Sequence, residues 1–165
     1  MIRDHLVPML AERFPGRGLA TGSPPDPIAV FPAAHPRVGD VSVTDDGHEA
    51  TVFIGEITHC HFGPEHFSSP EEATELAIAE SVADFVADLF ADRIVLWTAA
   101  DGKGAGFWRR GDDRPGFAND AAPTYVWSGP LDLERTRGWK RYLVPFLRAL
   151  SRAPRSRPRR GSARR

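Results

Sequence analysis

Cysteine occurs once in this chain of 165 residues, tyrosine and methionine twice each, and lysine only as Lys103 and Lys140. A single thiol excludes an intramolecular disulfide, so packing must hold the fold and a reducing compartment is expected. No apolar run approaches the roughly 18 to 20 residues that a membrane-spanning helix requires. The opening Met-Ile-Arg-Asp-His-Leu-Val-Pro carries an acid early and has no sustained apolar core before a small-residue cleavage site, so it does not read as a secretory signal. These absences place the protein in the cytoplasm as an expectation. There is no phosphate-cradling glycine loop, Gly-x-Ser-x-Gly elbow, Cys-x-x-Cys pair or dinucleotide fingerprint. Gly102-x-Gly104-x-Gly106 lacks a following helix and reads as a hairpin turn.

Hydrophobic residues make up 41% of the chain and charged residues 26%, proportions of a globular domain with a buried core. The net charge of −1 conceals an asymmetry: residues 134–165 carry +11, and residues 1–133 carry −12. Such a split speaks of partners or a tail rather than of a fold. The preference for Arg over Lys also fits a GC-rich coding background, which weakens any reading built on arginine alone.

Residues 1–24 read as a short helix and linker. Ile2, Leu6, Met9, Leu10 and Phe14 have helical spacing, Pro8 limits the helix, and Gly, Pro and Ser dominate from Gly16 to Pro27. A domain follows over residues 25–150. Ile28–Phe31 is a short strand kept near a sheet edge by Pro32 and Pro36. Val38–Thr44 alternates, Asp46-Gly47 marks a hairpin, and Ala50 to about Cys60 returns. Ser69-Pro70-Glu71-Glu72 has the form of a capping box with proline at the first helical position. Ile78, Val82, Phe85, Val86 and Leu89 then form a core stripe, which predicts a helix of about 23 residues ending at Asp92-Arg93. Ile94–Ala99, Gly106–Arg110 and Thr124–Ser128 read as strands. Trp139, Tyr142, Leu143, Phe146, Leu147 and Leu150 predict a C-terminal helix kinked at Pro145. Residues 151–165 hold seven arginines without apolar periodicity and read as a disordered tail. The expected class is α+β: a two-layer sandwich with a five- or six-stranded, mostly antiparallel sheet, a long central helix and a C-terminal helix.

Four groups of residues carry chemistry worth weighing. His59 and His61 alternate on a strand, so both side chains share one face and can hold one divalent transition metal, completed by Glu65 or His66. The competing reading is that these histidines hydrogen-bond within the strand-to-helix connection, and it is the favoured one. Cys60 points to the opposite face and reads as an inert thiol. On the long helix Glu80, Asp84, Asp88 and Asp92 recur every fourth residue, and residues 69–92 contain no base. That stripe is either a solvated face or a contact surface for a basic protein partner. Trp97, Phe107, Trp108, Tyr125 and Trp127 lie beside Arg109 and Arg110 and read as core rather than as a nucleic-acid stacking platform. In the tail, Arg155, Arg157, Arg159 and Arg160 could hold phosphate backbones non-specifically.

Two resemblances follow from these motifs. His59-x-His61 with Glu65 resembles part of the first cupin motif, but Gly55 stands too close to the first histidine and no histidine follows His66, so that assignment is rejected. The runs Phe31–Asp40, Ile54–Phe62, Leu89–Arg93 and Tyr125–Pro130 resemble a family of small uncharacterised bacterial α+β proteins, a resemblance that implies no activity, ligand or catalytic residue. The leading expectation is a small non-enzymatic binding protein, immunity- or adaptor-like, using its acidic helix face. The alternatives are a metal-dependent enzyme at the His-x-His strand end and nucleic-acid association through the tail.

Overall fold

A computed structural model describes residues 1–68, 74–99, 104–112 and 123–131, all within one compact unit, Met1–Leu131. The predicted C-terminal helix and the arginine-rich tail lie outside the described residues. The chain enters through α1 (Ile2–Arg13), which holds Pro8 in its middle and buries Ile2, Leu6 and Leu10 along one face. Their i, i+4 spacing is what aligns them. The segment read as a linker contributes a two-residue strand, β1 (Ala20–Thr21), paired antiparallel with β2 (Ala29–Phe31).

An antiparallel meander continues through β3 (Val41–Asp45), β4 (Ala50–Ile54) and β5 (Thr58–Phe62), in the order β1-β2-β3-β4-β5. Alternation fixes which side is buried. Val41, Val43, Val52, Ile54 and Phe62 face inward, and the register sets Val41 opposite Ile54 and Val43 opposite Val52. The Asp46-Gly47 hairpin forms as the sequence predicts. Asp46 accepts the backbone N–H of Glu49 at 2.8 Å, and Asp45 accepts that of Gly47 at 2.8 Å.

The central helix α2 spans Glu75–Phe90, 16 residues rather than about 23. Thr74 has extended backbone angles, and its hydroxyl accepts the N–H of Ala77 at 3.2 Å, so Thr74 is the N-cap. Residues 69–73, which hold the rest of the predicted capping box, lie outside the described residues. The predicted core stripe is present: Ile78, Val82, Phe85, Val86 and Leu89 are buried, with Ala79 and Ala83 beside them. α1 and α2 pack against each other.

Past the helix, the apolar strand β6 (Ile94–Thr98) pairs with β7 (Ala105–Arg109) and β8 (Thr124–Val126), and β8 with β9 (Gly129–Pro130). The described strands therefore form two antiparallel sheets, of five and four strands, instead of one sheet of five or six. The division falls where β5 and β7 approach without forming a ladder. Phe85 on α2 spans it, with its ring 5.5 Å from Phe62 and 5.2 Å from Phe107. A second aromatic group, Phe14, Phe31, Phe90 and Trp127, joins α1, β2, α2 and the end of β8 at centroid separations of 5.0 to 5.8 Å. The result is an α+β fold with mixed helix and strand, and no described helix is long and apolar enough to cross a membrane.

Candidate functional site

The meander leaves a second face. Opposite the buried valines stand two cross-strand rows, Val30–Ser42–Phe53–His59 and Thr44–Thr51–His61. Phe53, His59 and His61 are exposed, Phe53 to 38%, and the rest are half-buried. β5 is an edge strand of its sheet, and the two histidines occupy alternate positions on it, as their spacing predicts. Their rings meet edge to face, with centroids 4.9 Å apart and planes at 85°. His59 also lies 5.6 Å from the ring of Phe53, directly across the ladder.

His61 has a partner that the sequence did not announce: its Nδ1 hydrogen-bonds the Oε1 of Glu49. The Thr51 hydroxyl donates to the same carboxylate oxygen at 3.3 Å and lies 3.2 Å from His61 Nδ1. An ionised carboxylate can only accept, so Nδ1 of His61 carries the proton and the lone pair of the neutral ring resides on Nε2. The signal for Glu49 was present in the hairpin register. Thr51 opposes His61, and Glu49 precedes Thr51 by two residues on the same side.

Glu65 and His66 are placed differently. They lie on the 3-10 turn Pro64–His66, where His66 Nδ1 is 3.2 Å from Glu65 Oε1. The His66 ring stacks on Phe62 at 6.0 Å, and its Nδ1 accepts the N–H of Gly63 at 3.4 Å. Among the described residues no three His, Cys, Asp or Glu side chains group to hold a metal ion. Cys60, half-buried on the opposite side of β5, packs against the core, and burial raises its thiol pKa.

The acids of α2 have separate fates. Glu80 is exposed, and Asp84, also exposed, receives Arg13 of α1 at 2.5 Å. Asp88 is almost enclosed, with 12% of its side chain exposed, and bridges Arg93 at 2.7 Å and Arg109 at 2.6 Å. Asp92 lies just past the helix in a left-handed conformation (φ 57°), and its carboxylate accepts the N–H and hydroxyl of Ser128 at 3.0 and 2.6 Å. The structure thus brings Asp84, Asp88 and Asp92 to partners within the fold and leaves Glu80 facing solvent. Of the aromatic group, Trp97 and Trp127 are buried, and Phe107, Trp108 and Tyr125 are partly buried. Arg155, Arg157, Arg159 and Arg160 lie outside the described residues. No protein-family model, curated protein or solved structure matches this chain.

Proposed function

We propose that this is a non-enzymatic binding protein whose contact surface is the outer face of the five-stranded sheet, centred on Phe53 and His59, and whose partner is a protein. In this reading the fold is a two-layer sandwich, with α1 and α2 on the inner side of the sheets and the outer rows free to meet a partner. The observation that carries it is the exposure of Phe53, 38% open on a strand that is paired on both sides. A large apolar ring in such a position loses water-exposed surface when a partner covers it. Its neighbours Val30, Ser42, Thr44, Thr51 and His59 are apolar, hydroxylic or imidazole groups, a composition suited to the centre of a protein interface. The two rows contain no Lys or Arg, so the face lacks the charge that holds a phosphate backbone.

The same reading moves the contact surface away from α2. A partner that needed the acidic stripe would compete with Arg13 for Asp84, and with Arg93 and Arg109 for Asp88. Charge reversal at Asp88 would break the fold itself, so the informative helix variant is Glu80→Lys/Asp84→Lys. Quantitative affinity capture from native cells, run with wild type, Phe53→Glu and that double variant, tests the proposal. A partner lost with Phe53→Glu and kept by the helix variant supports the sheet face. A partner kept by Phe53→Glu and lost from the helix variant assigns the contact to α2 instead.

A further inference from the structure

We infer that His59 and His61 form a two-nitrogen binding site for a borderline divalent transition metal, Cu(II), Ni(II) or Zn(II), with Glu49 as the residue that positions His61. The two imidazoles stand on one side of an edge strand with centroids 4.9 Å apart, and both side chains are exposed. For both rings to reach one ion, His59 must rotate about its side-chain bonds to bring its Nε2 beside that of His61. Among the described residues His59 has ring contacts with Phe53 and His61 and no hydrogen bond from its imidazole that would resist the rotation. Each imidazole supplies one nitrogen, and the remaining coordination positions stay open to water.

Glu49 gives this pair a feature that two surface histidines lack by themselves. By accepting the Nδ1 proton of His61 it fixes the tautomer that presents Nε2. Thr51 holds the carboxylate from the neighbouring position. A carboxylate–histidine couple is the usual support of a metal-bound imidazole, and here it is assembled before any metal arrives. Glu65 and His66 sit on their own 3-10 turn, Pro64–His66, and take no part. Nitrogen donors select against Ca(II) and Mg(II), which require oxygen ligands, and the order of affinities places Cu(II) first. The site lies on the proposed contact face but does not rest on that proposal.

The test uses the full chain without an affinity tag. Calorimetric titration with Cu(II) and Zn(II) is combined with electron paramagnetic resonance of the copper form and nitrogen-15 spectra of the histidine rings. One equivalent is expected, with a copper signal coupled to two imidazole nitrogens. His59→Ala and His61→Ala should each weaken binding at least roughly tenfold, since chelation needs both rings, and His66→Ala and His48→Ala should leave it unchanged. Glu49→Gln should weaken binding about tenfold and shift the metal-free His61 ring away from the Nδ1-protonated tautomer. Both histidines are exposed, so circular dichroism should report wild-type folding for every variant. Wild-type affinity in either His59→Ala or His61→Ala, or a loss instead on His66→Ala, would overturn the site. An unchanged tautomer and affinity in Glu49→Gln would remove Glu49 from it. Loss of metal in His61→Ala with partner capture intact, or the reverse in Phe53→Glu, separates this inference from the proposed interface.

Discussion

Asp45, on β3, accepts the backbone N–H of Arg3 at 2.8 Å, so a strand residue 42 positions away caps the first turn of α1. Its other carboxylate oxygen accepts the N–H of Gly47 at 2.8 Å, and the residue is only 7% exposed. One side chain therefore closes the β3–β4 hairpin and anchors the helix packed against it. Negative charge at the N-terminus of a helix is favourable, and a buried backbone N–H left without an acceptor is costly. Asp45→Ala should destabilise the protein by about 2–3 kcal/mol. Asp45→Asn retains one acceptor oxygen and should lose about half as much. Urea denaturation followed by circular dichroism measures both, and equal losses in the two variants would show that the acceptor oxygen kept by asparagine contributes nothing.

Asp88 gives a second prediction, because its two guanidinium partners are 60% and 64% exposed while its own side chain is 12% exposed. Removing the carboxylate strands no buried cation, since Arg93 and Arg109 can return to water. The cost of Asp88→Asn should accordingly stay near 1–2 kcal/mol, below that of breaking a fully buried ion pair. Asp88→Lys places a third positive charge between two others in an enclosed position and should prevent folding. Thermal unfolding of the two variants reads the difference; a folded Asp88→Lys protein would mean that the enclosure is looser than described.

How much of this was legible beforehand depends on range. The valine alternation of β3 and β4, the Asp46-Gly47 turn and the apolar stripe of α2 are local patterns, and each appears where the sequence places it. The α2 start was missed because Ser69-Pro70-Glu71-Glu72 is the stronger local signal, although Thr74 is the residue that caps. Two-residue strands such as β1 and β9 have no pattern to read. The acids spaced by four differ in exposure, Glu80 and Asp84 exposed and Asp88 buried, for a geometric reason. At 3.6 residues per turn, a four-residue spacing drifts about 40° with each step. Across two steps from Glu80 to Asp88 the direction therefore turns by about 80°, enough to carry Asp88 from the solvent side toward the packed side. Which arginine meets which acid is set by tertiary packing, as with Arg13 and Asp84, 71 positions apart.

Two glycines with left-handed backbone offer a matched pair of substitutions. Gly55 (φ 49°), in the β4–β5 turn, is so close to the preceding loop that an added Cβ would stand 2.1 Å from the carbonyl oxygen of Val38. Gly47 (φ 93°) has nothing within 4 Å of the same position. Gly47→Ala therefore meets conformational strain alone and should cost about 1 kcal/mol. Gly55→Ala adds a backbone clash and should cost about 3 kcal/mol, with the β4–β5 hairpin displaced. Because that hairpin carries His59 and His61 opposite Phe53 and Thr51, the nuclear magnetic resonance shifts of these four residues should move with Gly55→Ala and stay fixed with Gly47→Ala.

Cys60 supplies the pH-dependent prediction. Burial raises its thiol above the ordinary range, because the thiolate would lose hydration on the inner side of β5. The native protein therefore keeps the proton at alkaline pH values where the unfolded chain has begun to release it. Unfolding in that window releases a proton, so stability should fall as pH rises from about 8 to 10. The same shift lowers the thiolate fraction, and half-burial restricts access, so alkylation of the folded protein should be several-fold slower than in urea. Cys60→Ala should remove the thiol's share of the alkaline decline while leaving the rest of the pH profile in place. Parallel denaturation curves of the two proteins at each pH measure that share. Identical alkaline slopes, or a thiol that reacts as fast folded as unfolded, would show that Cys60 is solvated in the native state and that β5 does not press it against the core.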